Sequence, residues 1–229
     1  MENKSLSEQM SDLKSVSEDQ LKSAGPFVAI SRQYGCGDFS LGLLLLDLLA
    51  EEAPADRHWQ IYHKEILESL ATETNLAMDV IQRQRREKPR LLSDFFRTLA
   101  GKKDRIPSGT EIRNRINSII QNLAIEGCAI LVGQGSSIAT SDIPNGMIVR
   151  LEAPVNWRVK QIAFREGLSE TQAKIRLKEQ EQASEYLEKI HQKVAASRPP
   201  YNMVFDCSKF TLSQIAVLIH RAMKLTKII

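Results

Sequence analysis

The stretch that decides the fold is residues 26–52, PFVAISRQYGCGDFSLGLLLLDLLAEE. Pro26 closes the preceding polar segment, and Phe27-Val28-Ala29-Ile30 is an uncharged run of strand length. The turn-forming Gly35-Cys36-Gly37 follows, and the leucine-rich residues Leu41 to Glu52 then read as a helix. A strand, a glycine loop and a helix in that order turn backbone N–H groups and a helix dipole toward a shared point, an arrangement suited to phosphate. A GxG turn taken alone is equally a tight strand-to-helix connection.

Outward from this unit, alternation of strands and helices continues. His58 to Tyr62 reads as a short strand, Lys64 to Thr72 as a helix and Leu76 to Arg86 as another, basic one. Glu111 to Ile125 places Ile112, Ile116, Ile119, Ile120 and Leu123 on one helical side and ends at Gly127. Ala129 to Val132 is an uncharged strand stopped by Gly133-Gln134-Gly135, and Met147 to Leu151 is a second. Residues 155–195 are charged and helical up to Arg198-Pro199-Pro200. Tyr201 to Phe205 gives a last strand and Leu212 to Leu225 a last helix. Strands separated by helices imply a three-layer α/β fold, a parallel sheet with helices on both faces, whose ligands sit at the carboxyl ends of the strands.

The 229 residues suit one domain of about two hundred residues, 26–229, preceded by a separate N-terminal segment, 1–25. In that segment Leu6, Met10, Leu13, Val16 and Leu21 recur near the helical period, which fits either an amphipathic helix that needs a partner surface or self-association, or a frayed tail. It lacks the pattern of a secretory signal, and no apolar run reaches the roughly 18 to 20 residues of a membrane span, so a cytoplasmic protein without a membrane partner is expected. Cys36, Cys128 and Cys207 form no CxxC pair, which argues against a disulfide framework or a zinc knuckle. Cys36, near a helix N-terminus, is either a thiol of lowered pKa or a stand-in for serine in a tight loop. His58, His63, His191 and His220 have no metal-ligand spacing.

The net charge of +3 is uninformative as a total but uneven along the chain. Arg83 to Arg105 carries nine basic and three acidic residues, a local +6 that leaves −3 for the remainder. Within 79–110 this reads as a solvated helix face with a basic loop, or as a flap that meets a phosphate-bearing ligand. A nucleic-acid partner is a third reading of the same segment, weakened by the few aromatics available for stacking.

The order of five segments resembles the cytidylate kinase-like family, P-loop relatives of the nucleoside monophosphate kinases. These are AISRQYGCG, IYHKEIL, AILVGQGS, RLEAPVNWRVKQIAFREGLSETQAK and PPYNMVFD, spread over about Phe27 to Met223. The resemblance implies an ATP site on the glycine loop, a monophosphate site over the central strands and a helical lid at 155–195. Ser31, Arg32, Gly35, Cys36, Gly37, Asp38 and Ser40 would bind nucleotide, Ser40 and Asp38 would hold Mg2+, and His63, Gly133, Gln134 and Gly135 would meet the substrate. Arg158, Arg165 and Lys64 would supply the catalytic cations.

The departures from that pattern bear on activity. The G-x-x-x-x-G-K-[ST] pattern is absent: Arg32 stands at its first glycine and Asp38 at its lysine. Family VGRG is Val132-Gly133-Gln134-Gly135 here, YD is Tyr62-His63, and a lid D-x-x-R-x-x-Y is Gln180, Ala183 and Tyr186. The YDxVIN pattern before the last helix is Tyr201 to Asp206. Phosphoryl transfer is catalysed largely by positioned cations, each worth up to about 10³ to 10⁵ in rate. Two functions therefore compete: a nucleotide-binding module with weakened or lost transferase activity, and an active kinase for CMP, dCMP or another small substrate that draws on relocated arginine and lysine.

Overall fold

The computed structural model describes residues 23–53, 56–63, 109–133, 135–194 and 201–229, the side chains of 109–113 and 183–194 excepted. The expected helices at Lys64–Thr72 and Leu76–Arg86, the basic segment Arg83–Arg105 and most of residues 1–25 lie outside the described residues. The chain divides into two compact units, Val16–His63 with Ile120–Ile229, and Met1–Ser15 with Lys64–Ile119. The first holds the sheet and the site.

Five strands, β1 (Phe27–Arg32), β2 (Gln60–Tyr62), β3 (Ala129–Val132), β4 (Gly146–Glu152) and β5 (Met203–Asp206), form one sheet in the order β2-β3-β1-β4-β5. Every neighbouring pair is parallel. The described helices are α1 (Asp38–Leu49), α2 (Gly109–Glu126), the single turn α3 (Ser136–Ala139), α4 (Val155–Glu166), α5 (Glu170–Val194) and α6 (Leu212–Leu225).

All four residues of β3 and the first five of β1 are buried, as their uncharged sequences require of strands covered on both faces. Val28, Ile30, Ile130, Val132, Met147, Val149 and Leu151 alternate onto one face, where they share a core with Leu41, Leu45 and Leu49 of α1 and Ile215 and Ile219 of α6. Burying each α1 leucine contributes about 2 kcal/mol. Phe27, Ala29 and Leu131 point to the other face and are equally inaccessible. The five-stranded parallel sheet with helices is the α/β fold expected, and it is consistent with a P-loop kinase-like fold.

The helix after the glycine loop begins at Asp38, three residues before the expected Leu41, because Gly37 in the left-handed region is its N-cap. The long charged region is two helices, since Gly167, also left-handed, ends α4 before Glu170 starts α5. Val159 and Ile162 of α4 pack with Ala173 and Leu177 of α5 in a second small core, and Tyr34 of the glycine loop packs against it. This inserts the loop between sheet and helical pair. No described helix is long and apolar enough to cross a membrane.

Candidate functional site

In this strand order β1 connects outward past β3 while β4 connects to β5 on the opposite side, which opens a crevice at the carboxyl end of β1. The glycine loop fills it. Gln33 N donates to Leu151 O at 2.9 Å, and Ala153 N donates back to Gln33 Oε1 at 3.1 Å, so the loop leans over the end of β4. Gly35 at φ 103° and Gly37 at φ 77° supply the two left-handed residues that turn the chain into α1. The first N–H groups of α1 have no acceptor within the helix and, with its dipole, attract negative charge.

Two charged side chains occupy the same turn. Arg32 Nε lies 2.6 Å from Asp38 Oδ2, both side chains being mostly buried. Asp38 thereby places a carboxylate in the first turn of α1, where the dipole favours one. Arg32 Nη1 is buried and has no hydrogen-bond partner among the described residues. Ser31, buried beneath them, accepts from Arg150 Nη1 at 3.0 Å.

The two expected lid arginines are differently placed. Arg158, at 2% exposure, donates through Nε to Ala153 O at 2.9 Å and through Nη1 to Tyr34 O at 3.3 Å and Glu181 Oε1 at 2.7 Å. It is a tie between α4, α5 and the loop. Arg165 is exposed, donates through Nε to Gln161 O at 3.2 Å and through Nη2 to Gly35 O, and reaches a cavity beside the loop. Tyr34 donates its hydroxyl to Glu166. Burial and the Glu166 carboxylate raise its pKa, against the opposing Arg176.

That cavity, of about 370 Å3, is lined by Gly35, Cys36, Gly37 and Ser40 on one side and by Trp157, Gln161 and Arg165 of α4 on another. Residues Cys207 to Leu212, the connection from β5 to α6, close it. The connection is held at both ends. Ser208 donates through N and Oγ to Asp206 Oδ1 at 2.8 and 2.6 Å, which lowers the Asp206 pKa, and Thr211 forms a capping box with Gln214. Trp157, Gln161 and the 207–212 wall were not singled out in the sequence. The one available signal was that residues 207–212 directly follow a strand and so lie at its carboxyl end.

Cys36 departs from the expectation of a lowered thiol pKa. The neighbouring Cys207 thiol and burial push it up, and the same contact lowers that of Cys207. His63 lies at the end of β2, its ring 5.6 Å from that of Phe39 and 4.0 Å from the point where a Cβ on Gly133 would stand. Gly133 N donates to Ile30 O at 3.1 Å, and Gly135 at φ 100° caps α3. The structure therefore brings His63 and Gly133 together near the start of α1. Lys64 and Gln134 lie outside the described residues.

The family resemblance implies a magnesium nucleotide at this cavity. Ser40, exposed on the cavity wall, fits a role beside the ion, and Arg165 and Lys209 on the same wall fit phosphate oxygens. Asp38 fits less well, because its buried Oδ2 faces Arg32 Nε at 2.6 Å as an ion pair and Asp38 does not line the cavity.

A parallel sheet with a glycine loop and an open cavity at the carboxyl end of its central strand defines an α/β protein whose fold is consistent with a P-loop kinase-like one. The sequence model of the cytidylate kinase-like family matches residues 27–209, most of the chain, and the protein belongs to that family. The fold is similar to the crystal structure of an uncharacterized protein from Eubacterium ventriosum at a TM-score of 0.56 and 17% identity, over 87% of this chain and 99% of that one. No curated protein matches the sequence.

Proposed function

We propose that this chain binds a nucleotide in the cavity beside the glycine loop and that its phosphotransferase activity is weakened or lost. The observation that carries this reading is the Arg32–Asp38 ion pair at 2.6 Å. The carboxylate neutralises the loop arginine and occupies the helix N-terminus that would otherwise attract phosphate. Arg158 is engaged by three protein acceptors, which removes a second cation from the catalytic set. Binding remains supported. Arg165 and Lys209 on the cavity wall would meet phosphate, Ser40 the magnesium ion, and Trp157 with Phe210 would offer flat apolar walls to a base. Bound magnesium would supply charge neutralisation on the phosphates.

Calorimetric titration with magnesium ATP, paired with phosphoryl transfer assays on CMP, dCMP, UMP and AMP, tests the reading. Saturable ATP binding with turnover well below about one per second is expected. Turnover at or above about one per second on any acceptor overturns the loss of activity, and absence of ATP binding overturns the whole reading.

The active-kinase reading is favoured by one observation, that Arg165 and Lys209 both line the cavity and could replace the missing cations. It requires that Arg165→Ala and Lys209→Ala lower turnover together. A nucleic-acid role through Arg83–Arg105 would show as RNA or DNA binding that weakens steeply with salt.

A further inference from the structure

Two of the three cysteines stand in the wall of the same cavity. Cys36 belongs to the glycine loop and Cys207 to the connection after β5, and both face the space of about 370 Å3 described above. The end of β4 brings them together: Gln33 N donates to Leu151 O at 2.9 Å, and Cys207 N donates to Glu152 O at 2.8 Å. Successive residues of one strand thus anchor the two cysteine-bearing segments. Both thiols are buried, at 1% and 5% exposure, in one hydrophobic core. The cavity they line is bounded by the exposed Ser40 and Phe210 and so opens to solvent. Cys128 lies at the opposite, amino-terminal end of the parallel strands, because it precedes β3 whereas Cys36 and Cys207 follow β1 and β5.

We propose that Cys36 and Cys207 form a modification site at which a peroxide, either hydrogen peroxide or an organic hydroperoxide, joins them in a disulfide that ties the glycine loop to the β5–α6 connection. Cys207, at 5% exposure against 1% for Cys36, is the sulfur that meets the peroxide first. The neighbouring Cys36 thiol favours the Cys207 thiolate, while that contact and burial hold Cys36 protonated. Cys207 sulfur attacks one peroxide oxygen, the O–O bond breaks, and the departing oxygen leaves as water or alcohol once protonated. Cys207 is then a sulfenic acid. Cys36 sulfur attacks the sulfenic sulfur, the S–S bond forms, and the hydroxyl leaves with the Cys36 proton as water. Two thiols lose two electrons in total, and the peroxide gains them. The product holds the sulfurs about 2.0 Å apart and fixes two walls of the cavity to each other.

This modification does not depend on nucleotide binding and is read without nucleotide. The full chain is titrated with hydrogen peroxide, free thiols are blocked with N-ethylmaleimide under denaturing conditions, and peptides are mapped before and after dithiothreitol. The expected result is loss of two of the three blockable thiols, a linked Cys36–Cys207 peptide that dithiothreitol separates, and an unmodified Cys128. In Cys36→Ser the linkage is lost and a dimedone-reactive sulfenic acid appears on Cys207, whereas Cys128→Ser links as the parent chain does. A link that involves Cys128, a link between chains, or three thiols still blockable under peroxide in the parent chain overturns the proposal.

Discussion

Arg32 Nε lies 2.6 Å from Asp38 Oδ2 across the glycine loop, so the two residues that break the phosphate-loop pattern answer each other's charge. Each departure alone would be costly. An arginine with no partner in that turn would leave its charge largely desolvated, and a carboxylate with no partner would repel phosphate. Together they make a neutral turn. Asp38→Ala releases Arg32 and removes the negative charge from the α1 N-terminus, and ATP affinity is expected to rise about tenfold, or about 1.4 kcal/mol. Arg32→Ala is expected to lower it. Calorimetry on both variants and on the double variant reads the coupling, and an Asp38→Ala protein that binds ATP no better than the parent sinks the assignment.

Arg158 and Arg165, adjacent in motif, are expected to part in their effects. Arg158 is buried with acceptors from Ala153, Tyr34 and Glu181, so Arg158→Ala leaves those groups unpaired and is expected to cost about 3 kcal/mol of stability. Arg165 is exposed, so Arg165→Ala is expected to change stability by less than about 0.5 kcal/mol while weakening ATP binding several-fold. Urea denaturation and calorimetry on the same two proteins check this. Equal loss of stability in both would show that Arg165, too, serves the fold.

The contrast between these arginines also marks what the sequence could carry. Ala129–Val132 and Leu212–Leu225 were legible to the residue, the first because an uncharged run between glycines admits little else. Asp38 as a helix start was not, since the first apolar residue of that helix is Leu41 and the N-cap is a glycine with no side chain. The four-residue α3 shows no period to read. For the site, the motif marks Arg32, Asp38 and Arg158 as charged but not what they touch. Their partners lie six residues away for one pair and, for Arg158, on three separate segments. The wall at 207–212 comes to the glycine loop through the register of β1, β4 and β5, which depends on strand order and not on local pattern.

Alkaline stability follows from Tyr62, whose hydroxyl is pushed up to about 12 by burial and by the Glu126 carboxylate, from about 10 in the unfolded chain. Below pH 10 the group is protonated in both states and contributes no pH dependence. Between about 10 and 12 the unfolded chain releases its proton while the folded one keeps it, so stability falls as pH rises, by less than about 1.4 kcal/mol per unit. Tyr62→Phe is expected to remove that share of the slope. Urea denaturation of both proteins from neutral to alkaline pH measures it, and identical slopes would mean the hydroxyl ionises in the folded state as easily as in the unfolded one.

Gly146 opens β4 opposite Phe27 of β1, and the Phe27 ring, fully buried, fills the space where a side chain on Gly146 would stand. A Cβ there would overlap the ring carbons Cζ, Cε1 and Cε2. The ring cannot retreat into solvent, so Gly146→Ala must shift either Phe27 or the strand, and overpacking of this kind costs about 1 to 3 kcal/mol. For a chain of this length each kcal/mol corresponds to about 2 to 4 °C in Tm. A thermal scan should show that fall for Gly146→Ala alone. Phe27→Leu removes the obstructing ring and creates its own defect, yet the double variant is expected to be more stable than the sum of the two single losses, because the added methyl enters the space the ring vacated. Simple additivity would show that the cost of Gly146→Ala arises in the backbone of β4 and not at the ring.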